Sequence, residues 1–362
     1  MKLLNLHIKN IGPFKEASLD FATEFRKGKA EPVTIITGIN GAGKSILIDA
    51  IRAAFCGKSL LERNIVADEK NFQIQLEYEE GGEKQHYFTS SVDADLNAKH
   101  PHALLIRSTE VIVSAIYKAL HNGYEESDEV FPWLVDFWSA KTPTGSFQIS
   151  NMMNINHRDV LKNAMSGVKS NIDLVNFICQ VDYLRNSEMP EEKALGEVVY
   201  NKMKEIVEAC LDSGTFKYVR RSNLTPIVEQ NGVELSLEKL SSGNLFLLEH
   251  LLLLLCKMYS ISVLRNTSPE EITNTPGVLL IDEIETHMHP KWQKKIVGII
   301  RHFFPNLQII LTTHSPFVVA STDGARIYTC VPQTGYSEVH DETERYAHMS
   351  VEDYPVINVM TR

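Results

Sequence analysis

The sequence predicts an α/β fold with a mixed central sheet, an antiparallel β subdomain and a helical insertion. A glycine-rich loop at 38–45 stands between a short β-branched run and an apolar stretch without glycine or proline. Two more apolar runs, 278–281 and 307–312, are typical of buried parallel strands joined by a crossover helix. Turns at Gly81-Gly82 and Asn231-Gly232 separate alternating segments, and each predicts a hairpin.

Composition and charge narrow the functional classes. Of the 362 residues, 43% are hydrophobic and 23% are charged, as in a globular protein. The net charge of −10 excludes a global basic field that would attract DNA, although a local basic groove stays open. Five widely spaced cysteines indicate reduced thiols. Because the N-terminus alternates like a strand and lacks the apolar core of a signal peptide, we expect a cytoplasmic protein.

The most apolar window, 245–264, is long enough to cross a membrane. Glu249, His250 and Lys257 lie inside it, and ionisable groups are costly in a bilayer. We therefore expect a buried helix and no membrane partner.

Four regions follow one another along the chain. The first is strand-rich, and the second changes to mostly helical spacing, as in 111–120, 172–184 and 195–211. No sustained heptad run appears, so a long coiled-coil arm is not expected. The predicted regions are the N-terminal half of the α/β unit (1–110), a helical insertion or lid (111–215), the C-terminal half (216–340) and a tail (341–362).

The loop from Gly38 to Ser45 fits the pattern G-x-x-x-x-G-K-[ST]. Glycines let successive backbone N–H groups turn inward around a phosphate. Lys44 is expected to reach the β- and γ-phosphate oxygens, and the Ser45 hydroxyl to ligate Mg²⁺. The strand at 33–37 and the helix after the loop aim a helix N-terminus at the phosphate. The predicted nucleotide-binding residues are Asn40, Gly41, Ala42, Gly43, Lys44, Ser45 and Ile46.

Two acidic residues end the predicted strand at 278–281. A parallel strand delivers its last side chains to the sheet edge where ligands bind. We predict that Asp282 holds Mg²⁺, directly or through water, and that Glu283 is the general base for the attacking water. The alternative is that these two acids only mark a solvated strand end. The phosphate loop earlier in the chain makes this alternative less favoured.

A histidine follows the predicted strand at 307–312. A single crossover helix joins this strand to the acidic one, so the two should be neighbours. His314 is then placed to hydrogen-bond the γ-phosphate and position the attacking water. A structural role at a strand end is the alternative.

A short polar segment, Ser241 to Asn244, opens the leucine-rich helix. Hydroxyl groups, backbone N–H groups and the helix dipole together make an anion site. A simple helix cap is the alternative, and the presence of the other three motifs favours the anion site. The predicted binding residues here are Ser241, Ser242, Gly243 and Asn244.

His287 and His289, together with Glu285, raise a second metal site as an alternative. A zinc site needs more ligands at recognised spacings, and none is evident nearby. Pro290 as the first-turn proline of a helix at 290–304 is the favoured interpretation.

Taken together, the motifs resemble those of ABC-type ATPases: the phosphate loop, Leu-Ser-Ser-Gly at 240–243, Leu-Leu-Ile-Asp-Glu at 279–283 and Thr-His-Ser-Pro at 313–316. Lys-Asn-Ile-Gly-Pro-Phe at 9–14 is similar to the opening motif of the soluble branch that includes RecF, SMC-like and OLD proteins. The stretch LLIDEIETHMHPKWQ resembles the stand-alone bacterial ATPases of the "ATP-binding protein involved in virulence" type. It also resembles the PtuA-like ATPases of Septu and retron anti-phage systems.

This resemblance covers residues 1–55 and about 225–325. It implies an ABC-type P-loop ATPase head that uses ATP and Mg²⁺. It further implies that two copies, or a higher oligomer, assemble head to tail. Each ATP is then held between Lys44 of one copy and the segment from Ser241 to Asn244 of the other.

The sequence departs from the family pattern in places. Position 242 is Ser, where transporters have Gly and many relatives have Asp. The glutamine-loop residue has no unique candidate, because Gln73 and Gln75 lie in a hairpin pattern and a strand at 103–106 is an equally good site. Only 48 residues follow His314, too few for the TOPRIM nuclease of OLD proteins. Any nuclease or toxin activity is therefore expected from a separately encoded partner.

Two functional hypotheses follow from the resemblance. The favoured one is an ATP-hydrolysing homodimeric switch in a bacterial anti-phage defence or toxin-like module. It controls a separate effector such as a nuclease, and nucleic acid is contacted through that partner or the insertion. The alternative is a DNA-repair or recombination ATPase of RecF or SMC-like type that acts on DNA ends or gaps. The acidic charge and the missing coiled coil argue against it.

Overall fold

A ten-stranded mixed sheet runs through the structure, a computed structural model. The structure describes residues 1–21, 32–56, 72–90, 124, 129–139, 149–162, 164–165, 173–211 and 213–346. Its strands, in chain order, are β1 (Lys2–Ile11), β2 (Phe14–Asp20), β3 (Val33–Gly38), β4 (Gln73–Glu80), β5 (Glu83–Ser90), β6 (Leu134–Trp138), β7 (Gly214–Arg220), β8 (Thr225–Gln230), β9 (Val233–Ser236), β10 (Gly277–Ile281), β11 (Leu307–Thr312), β12 (Arg326–Gln333) and β13 (Tyr336–Asp341).

The helices surround this sheet and also form the region between β6 and β7. In chain order they are α1 (Lys44–Cys56), α2 (His157–Val160), α3 (Leu174–Leu184), α4 (Pro190–Ala209), α5 (Ser242–Arg265), α6 (Pro290–Gln293), α7 (Ile296–Phe303), α8 (Pro316–Ala320) and α9 (Thr343–Tyr346). Two short 3₁₀ turns, Leu237–Lys239 and Pro269–Asn274, flank α5.

The main sheet has a parallel half and a mostly antiparallel half. Its strand order is β5-β4-β1-β2-β13-β12-β3-β11-β10-β6. The strands from β12 to β6 are parallel, so their carboxyl ends meet along one edge. The strands β1, β2, β4 and β5 pair antiparallel beside them. A separate antiparallel sheet contains β7, β8 and β9. This architecture confirms the predicted α/β class with its mixed sheet and antiparallel part.

Strand β10 shows why the parallel half is so apolar. Leu279 and Ile281 enter one hydrophobic core, which also receives α3, α4, α5 and α7. Val278 and Leu280 alternate into the other core, which receives α1 and the inner face of β1. Because successive side chains point to opposite faces and both faces are covered, the strand is hydrophobic throughout.

Helix α5 is the predicted buried helix. By length and composition it could cross a membrane, but 83% of its most apolar window is buried inside the protein. The Lys257 ammonium lies 2.6 Å from the Asp136 carboxylate on β6, and both side chains are buried. The charges inside this helix therefore have partners within the fold, as a core helix requires.

Both predicted hairpins are confirmed, as are the strands at 278–281 and 307–312. The helix predicted at 290–304 is wrong as a single element, because α6 and α7 replace it. The backbone N–H of Lys295 donates to the carbonyl of Trp292 at 2.9 Å, three residues back, so one tight turn separates the two helices.

Strand β6 lies inside the range 111–215, which we predicted to be mostly helical. It forms the end of the main sheet next to β10. Helices α3 and α4 occupy the predicted positions in that range. The helix predicted at 111–120 and the strand predicted at 103–106 lie outside the described residues, and the division into four regions stays a prediction.

Candidate functional site

The phosphate-loop candidate joins β3 to α1 at the carboxyl edge of the parallel strands. Gly38, Gly41 and Gly43 have φ values of 138°, 78° and 99°, in a region that favours glycine. A Cβ at Gly43 would lie 2.6 Å from the ring of Phe14, and one at Gly38 would lie 2.4 Å from the carbonyl oxygen of Cys330. The loop conformation therefore requires glycine, both for its backbone and for the space below it.

Lys44 begins α1 and is buried, with 5% of its surface exposed. Its Nζ donates to the carbonyl oxygen of Ile39 at 3.2 Å and lies 3.5 Å from Nδ1 of His314. Burial lowers the pKa of Lys44, while the nearby acidic groups, including Glu283 and Glu285, oppose this shift. The ammonium group is thus held under the loop with little water, and a nearby anion stabilises its charged form.

Ser45 and Asp282 meet although 237 positions separate them. The Ser45 hydroxyl donates to Oδ1 of Asp282 at 2.8 Å. The same Oδ1 accepts from the hydroxyl of Thr312 at 2.7 Å. The backbone N–H of Asp282 donates to the carbonyl oxygen of Trp138 at 2.9 Å, so strand β6 also holds the backbone of this residue. A hydroxyl and a carboxylate held together offer the hard oxygen ligands that Mg²⁺ prefers.

Glu283 turns the chain away from β10. Its φ of 52° is left-handed, which is uncommon for a residue other than glycine. Two hydrogen bonds hold this turn: Glu283 N–H to Oγ1 of Thr312 at 2.8 Å, and Ile284 N–H to the carbonyl oxygen of Thr312 at 3.2 Å. Its partly exposed carboxylate accepts a long contact of 3.5 Å from the Thr286 hydroxyl.

His314 follows β11, which pairs with β10 in parallel register and with β3 on its other side. The strand order therefore brings its imidazole beside Lys44. Burial and the positive charge of Lys44 lower the pKa of His314, while Glu285 and Glu283 oppose that shift. This environment therefore favours the neutral form of the imidazole.

The Ser241–Asn244 segment caps α5 and lies apart from this group. The Ser241 hydroxyl accepts from the N–H of Asn244 at 3.3 Å and donates to its side-chain oxygen at 2.8 Å. A Cβ at Gly243 would lie 3.0 Å from the carbonyl oxygen of His287. Within the described chain, no hydrogen bond joins this segment to the 38–45 loop.

The structure thus brings Lys44, Ser45, Asp282, Glu283 and His314 together, while Ser241–Asn244 stays outside this cluster. A model of the family described as "AAA domain, putative AbiEii toxin, Type IV TA system" matches residues 33–320. The chain belongs to this family.

Two relatives of this AAA-family chain carry retron and Septu names. It is 37% identical over 131 residues to "Retron Vc95 probable ATPase" of Vibrio cholerae serotype O1 biovar El Tor, covering 36% of this chain and 24% of that protein. It is 23% identical over 320 residues to "Septu protein PtuA" of Bacillus thuringiensis, covering 87% of this chain and 72% of that protein. The chain thus spans about a quarter of the length of the retron relative.

A solved structure shares the fold. It is the Smc head domain with an extended coiled coil bound to the C-terminal domain of ScpA, from Pyrococcus furiosus. The likeness covers 100% of both chains at a TM-score of 0.51 and 14% identity. The fold of this AAA-family protein is therefore like that of an Smc head domain, as the resemblance of the motifs implied.

Some residues of the site were missed by the sequence reasoning. Thr312 was assigned only to a strand, and Glu285 was considered only as a ligand of a second metal. The two threonines before the histidine, Thr312 and Thr313, were a usable signal of such contacts, because polar groups at a strand end near a phosphate site need hydrogen-bond partners. Trp138 carried no such signal, since its strand was not predicted.

His287 and His289, which raised the alternative of a second metal site, make other contacts in the structure. Among the described residues, no group of three or more His, Cys, Asp or Glu side chains is placed to hold a metal ion. His289 is the N-cap of α6, where its Nδ1 accepts from the N–H of Lys291. Pro290 is the first residue of that helix, as predicted.

Proposed function

We propose that this protein is a Mg²⁺-dependent ATPase whose complete site forms between two copies of the chain. The observation that carries the proposal is the convergence of Lys44, Ser45, Asp282 and His314 at one edge of the sheet. The proposed output is control of a separately encoded effector in a bacterial anti-phage defence or toxin-like module.

The residues of the loop fit a nucleoside triphosphate. The backbone from Asn40 to Ile46 surrounds the start of α1, where the helix dipole favours an anion. Lys44 supplies a buried positive charge for the β- and γ-phosphates. Ser45 and Asp282 supply the oxygen ligands for Mg²⁺, which when bound neutralises charge that develops on the phosphate oxygens.

Glu283 and His314 take the chemical roles. The partly exposed carboxylate of Glu283 is free to accept the proton of an attacking water as a general base. His314 lies 3.5 Å from the Lys44 ammonium, so its imidazole is placed to donate a hydrogen bond to the γ-phosphate.

The Ser241–Asn244 segment supplies the other half of the site from a second copy. Ser241 and Ser242 are exposed at the N-terminus of the 24-residue helix α5. Hydroxyl groups and a helix dipole at that end form an anion-binding surface. Because nothing in the described chain links this surface to its own 38–45 loop, we assign it to the nucleotide of the partner copy.

The setting of this ATPase follows from its relatives and its cysteines. The retron and Septu names of the two relatives support a role in defence, with the effector on a separate protein. Among the described residues, Cys179, Cys210, Cys256 and Cys330 are buried and free of disulfides, which fits a reducing compartment. We therefore propose a cytoplasmic location.

Phosphate release separates this ATPase from a nucleotide-binding scaffold. The Lys44→Ala variant is expected to lose both ATP binding and hydrolysis. The Glu283→Gln variant is expected to bind ATP normally and to hydrolyse it about 100-fold more slowly, because the general base is gone. A fluorescent ATP analogue measures binding in parallel. Wild-type protein that binds ATP but releases no more phosphate than Lys44→Ala would refute the hydrolysis.

The SMC-like fold supports a second candidate, an ATPase that acts on DNA. Phosphate release measured with increasing double-stranded DNA and without any partner protein distinguishes the two. The defence switch predicts no change in the rate. A stimulation by DNA alone would favour the repair or recombination function.

A further inference from the structure

Glu285 makes two contacts that the catalytic roles above do not use. It lies two residues after Glu283 and is partly buried. Its Oε1 accepts from the backbone N–H of His314 at 2.5 Å, and its Oε2 accepts from the hydroxyl of Thr313 at 2.7 Å. One carboxylate therefore holds two successive residues of the histidine turn, with both oxygens occupied.

A second residue holds the other side of the same turn. The hydroxyl of Ser315 donates to Oε1 of Gln293 at 2.6 Å. The side-chain amide of Gln293 in turn donates to the carbonyl oxygen of Met288 at 2.8 Å. The three residues 313–315 are thus tied on both sides to the segment 285–293, which follows the acidic pair.

The segment that carries Glu285 is itself tightly folded. Thr286 N–H donates to the carbonyl oxygen of Glu283 at 3.0 Å, and Met288 N–H donates to that of Glu285 at 3.0 Å. His287, between them, has its carbonyl oxygen against Gly243 of the Ser241–Asn244 segment. A continuous set of contacts therefore runs from the histidine turn through Glu285 to the surface assigned to the partner's nucleotide.

We propose that Glu285 is a positioning residue for ATP hydrolysis, which holds His314 in place and links it to the Ser241–Asn244 segment. The inference rests on the proposed function and deepens it. Within one copy, Glu285 would then connect the His314 side of one ATP site with the Ser241–Asn244 surface, which binds the nucleotide of the partner copy.

Two variants separate the hydrogen bonds of Glu285 from its charge. Glu285→Ala removes both acceptors, so the histidine turn is free to shift. Glu285→Gln keeps both contacts, since its oxygen accepts from His314 N–H and its amide donates to the Thr313 hydroxyl. The matched control is Glu208→Ala on α4, away from the phosphate loop. It removes a carboxylate that accepts from the backbone N–H of Phe216 at 3.2 Å.

The expected result is a selective loss of kcat. Glu285→Ala is expected to lower kcat by about 10- to 100-fold, because small displacements of a group near the reacting atoms are costly. KM for ATP should change by less than about threefold, since the 38–45 loop is untouched. Glu285→Gln should restore most of kcat, and Glu208→Ala should leave it unchanged. Wild-type kcat in Glu285→Ala, or equal losses in the Ala and Gln variants, would overturn the positioning role.

A titration of His314 by NMR provides a readout without turnover. Its imidazole resonance is assigned by comparison with His314→Gln. The groups facing His314 are Lys44, which lowers its pKa, and Glu283 and Glu285, which raise it. In Glu285→Gln the pKa of His314 should therefore fall below the wild-type value, and an unchanged pKa would overturn the link. Absence of hydrolysis in wild type with this fall present would refute the proposed ATPase and leave the link standing.

Discussion

The single hydroxyl of Thr312 connects the two acidic residues of the site. It accepts from the backbone N–H of Glu283 at 2.8 Å and donates to Oδ1 of Asp282 at 2.7 Å. Oδ1 of Asp282 also accepts from Ser45, so the arrangement joins β10, β11 and α1. The proposed metal ligand and the proposed general base are therefore placed by one residue that touches both.

Thr312→Val tests this arrangement, because valine has the same shape without the hydroxyl. The backbone N–H of Glu283 then loses its partner, and kcat for ATP is expected to fall by about 10-fold or more. The free energy of unfolding should fall by about 1–3 kcal/mol. Thr322→Val is the control, since it removes a buried hydroxyl that donates to the carbonyl oxygen of Val318 at 2.7 Å. It should lose stability and keep kcat; an equal kcat in both variants would refute the role of Thr312.

His250 is a buried residue with a stability role that depends on pH. It packs 4.8 Å from the ring of Trp138, and burial lowers its pKa from 6.5 to about 4. As pH falls below 6.5, the unfolded chain binds a proton that the native state does not bind. Native stability therefore falls with pH down to about 4.

The expected loss from His250 between pH 7.5 and pH 5 is about 2 kcal/mol. The free energy of unfolding by urea, measured for wild type and His250→Leu at both pH values, isolates this contribution. The leucine variant should lose about 2 kcal/mol less than wild type over this interval. Equal losses in the two proteins would show that His250 is protonated in the native state.

At the scale of elements, β6 is joined to the rest of the fold by a buried ion pair and by a hydrogen bond to the residue that follows β10. Asp136 on this strand pairs with Lys257 on α5, and Trp138 accepts from the N–H of Asp282. The edge strand thus connects the core helix with the acidic pair of the site.

Asp136→Ala is expected to cost about 3–5 kcal/mol of unfolding free energy, because it leaves the Lys257 ammonium buried without a partner. The double variant Asp136→Ala with Lys257→Met removes both charges and should recover most of that loss. Chemical denaturation of the single and double variants measures the difference. A double variant as unstable as Asp136→Ala would mean that packing, and not the charge, causes the loss.

The elements that could be predicted from sequence are those with local signals. Strand β10 is an apolar run, β11 is mostly apolar, and the β4–β5 and β8–β9 hairpins have glycine-containing turns. Strand β6 has only five residues with an aspartate at its centre, and that aspartate is paired with Lys257, far along the chain. No local pattern contains that information. The candidate site residues Lys44, Ser45, Asp282 and His314 were predicted from their motifs, whereas the contacts of Thr312 and Glu285 with them are created only by the fold.

At the scale of the whole molecule, the order of the strands explains the site. β3, β11 and β10 are adjacent and parallel, so the loop, the histidine turn and the acidic pair emerge at one edge. The Ser241–Asn244 end of helix α5 lies next to the carbonyl oxygen of His287. In the proposed function, one copy contains half of each of two sites, and assembly with a second copy would complete them.

Light scattering of the Glu283→Gln variant with ATP tests this central claim most directly. A variant that binds ATP without hydrolysing it should accumulate as a dimer with twice the monomer mass, and return to the monomer mass with ADP. Adding Ser242→Arg places a bulky side chain on the exposed start of α5 and should prevent the dimer. A Glu283→Gln variant that binds ATP and keeps the monomer mass at saturating ATP would contradict the composite site.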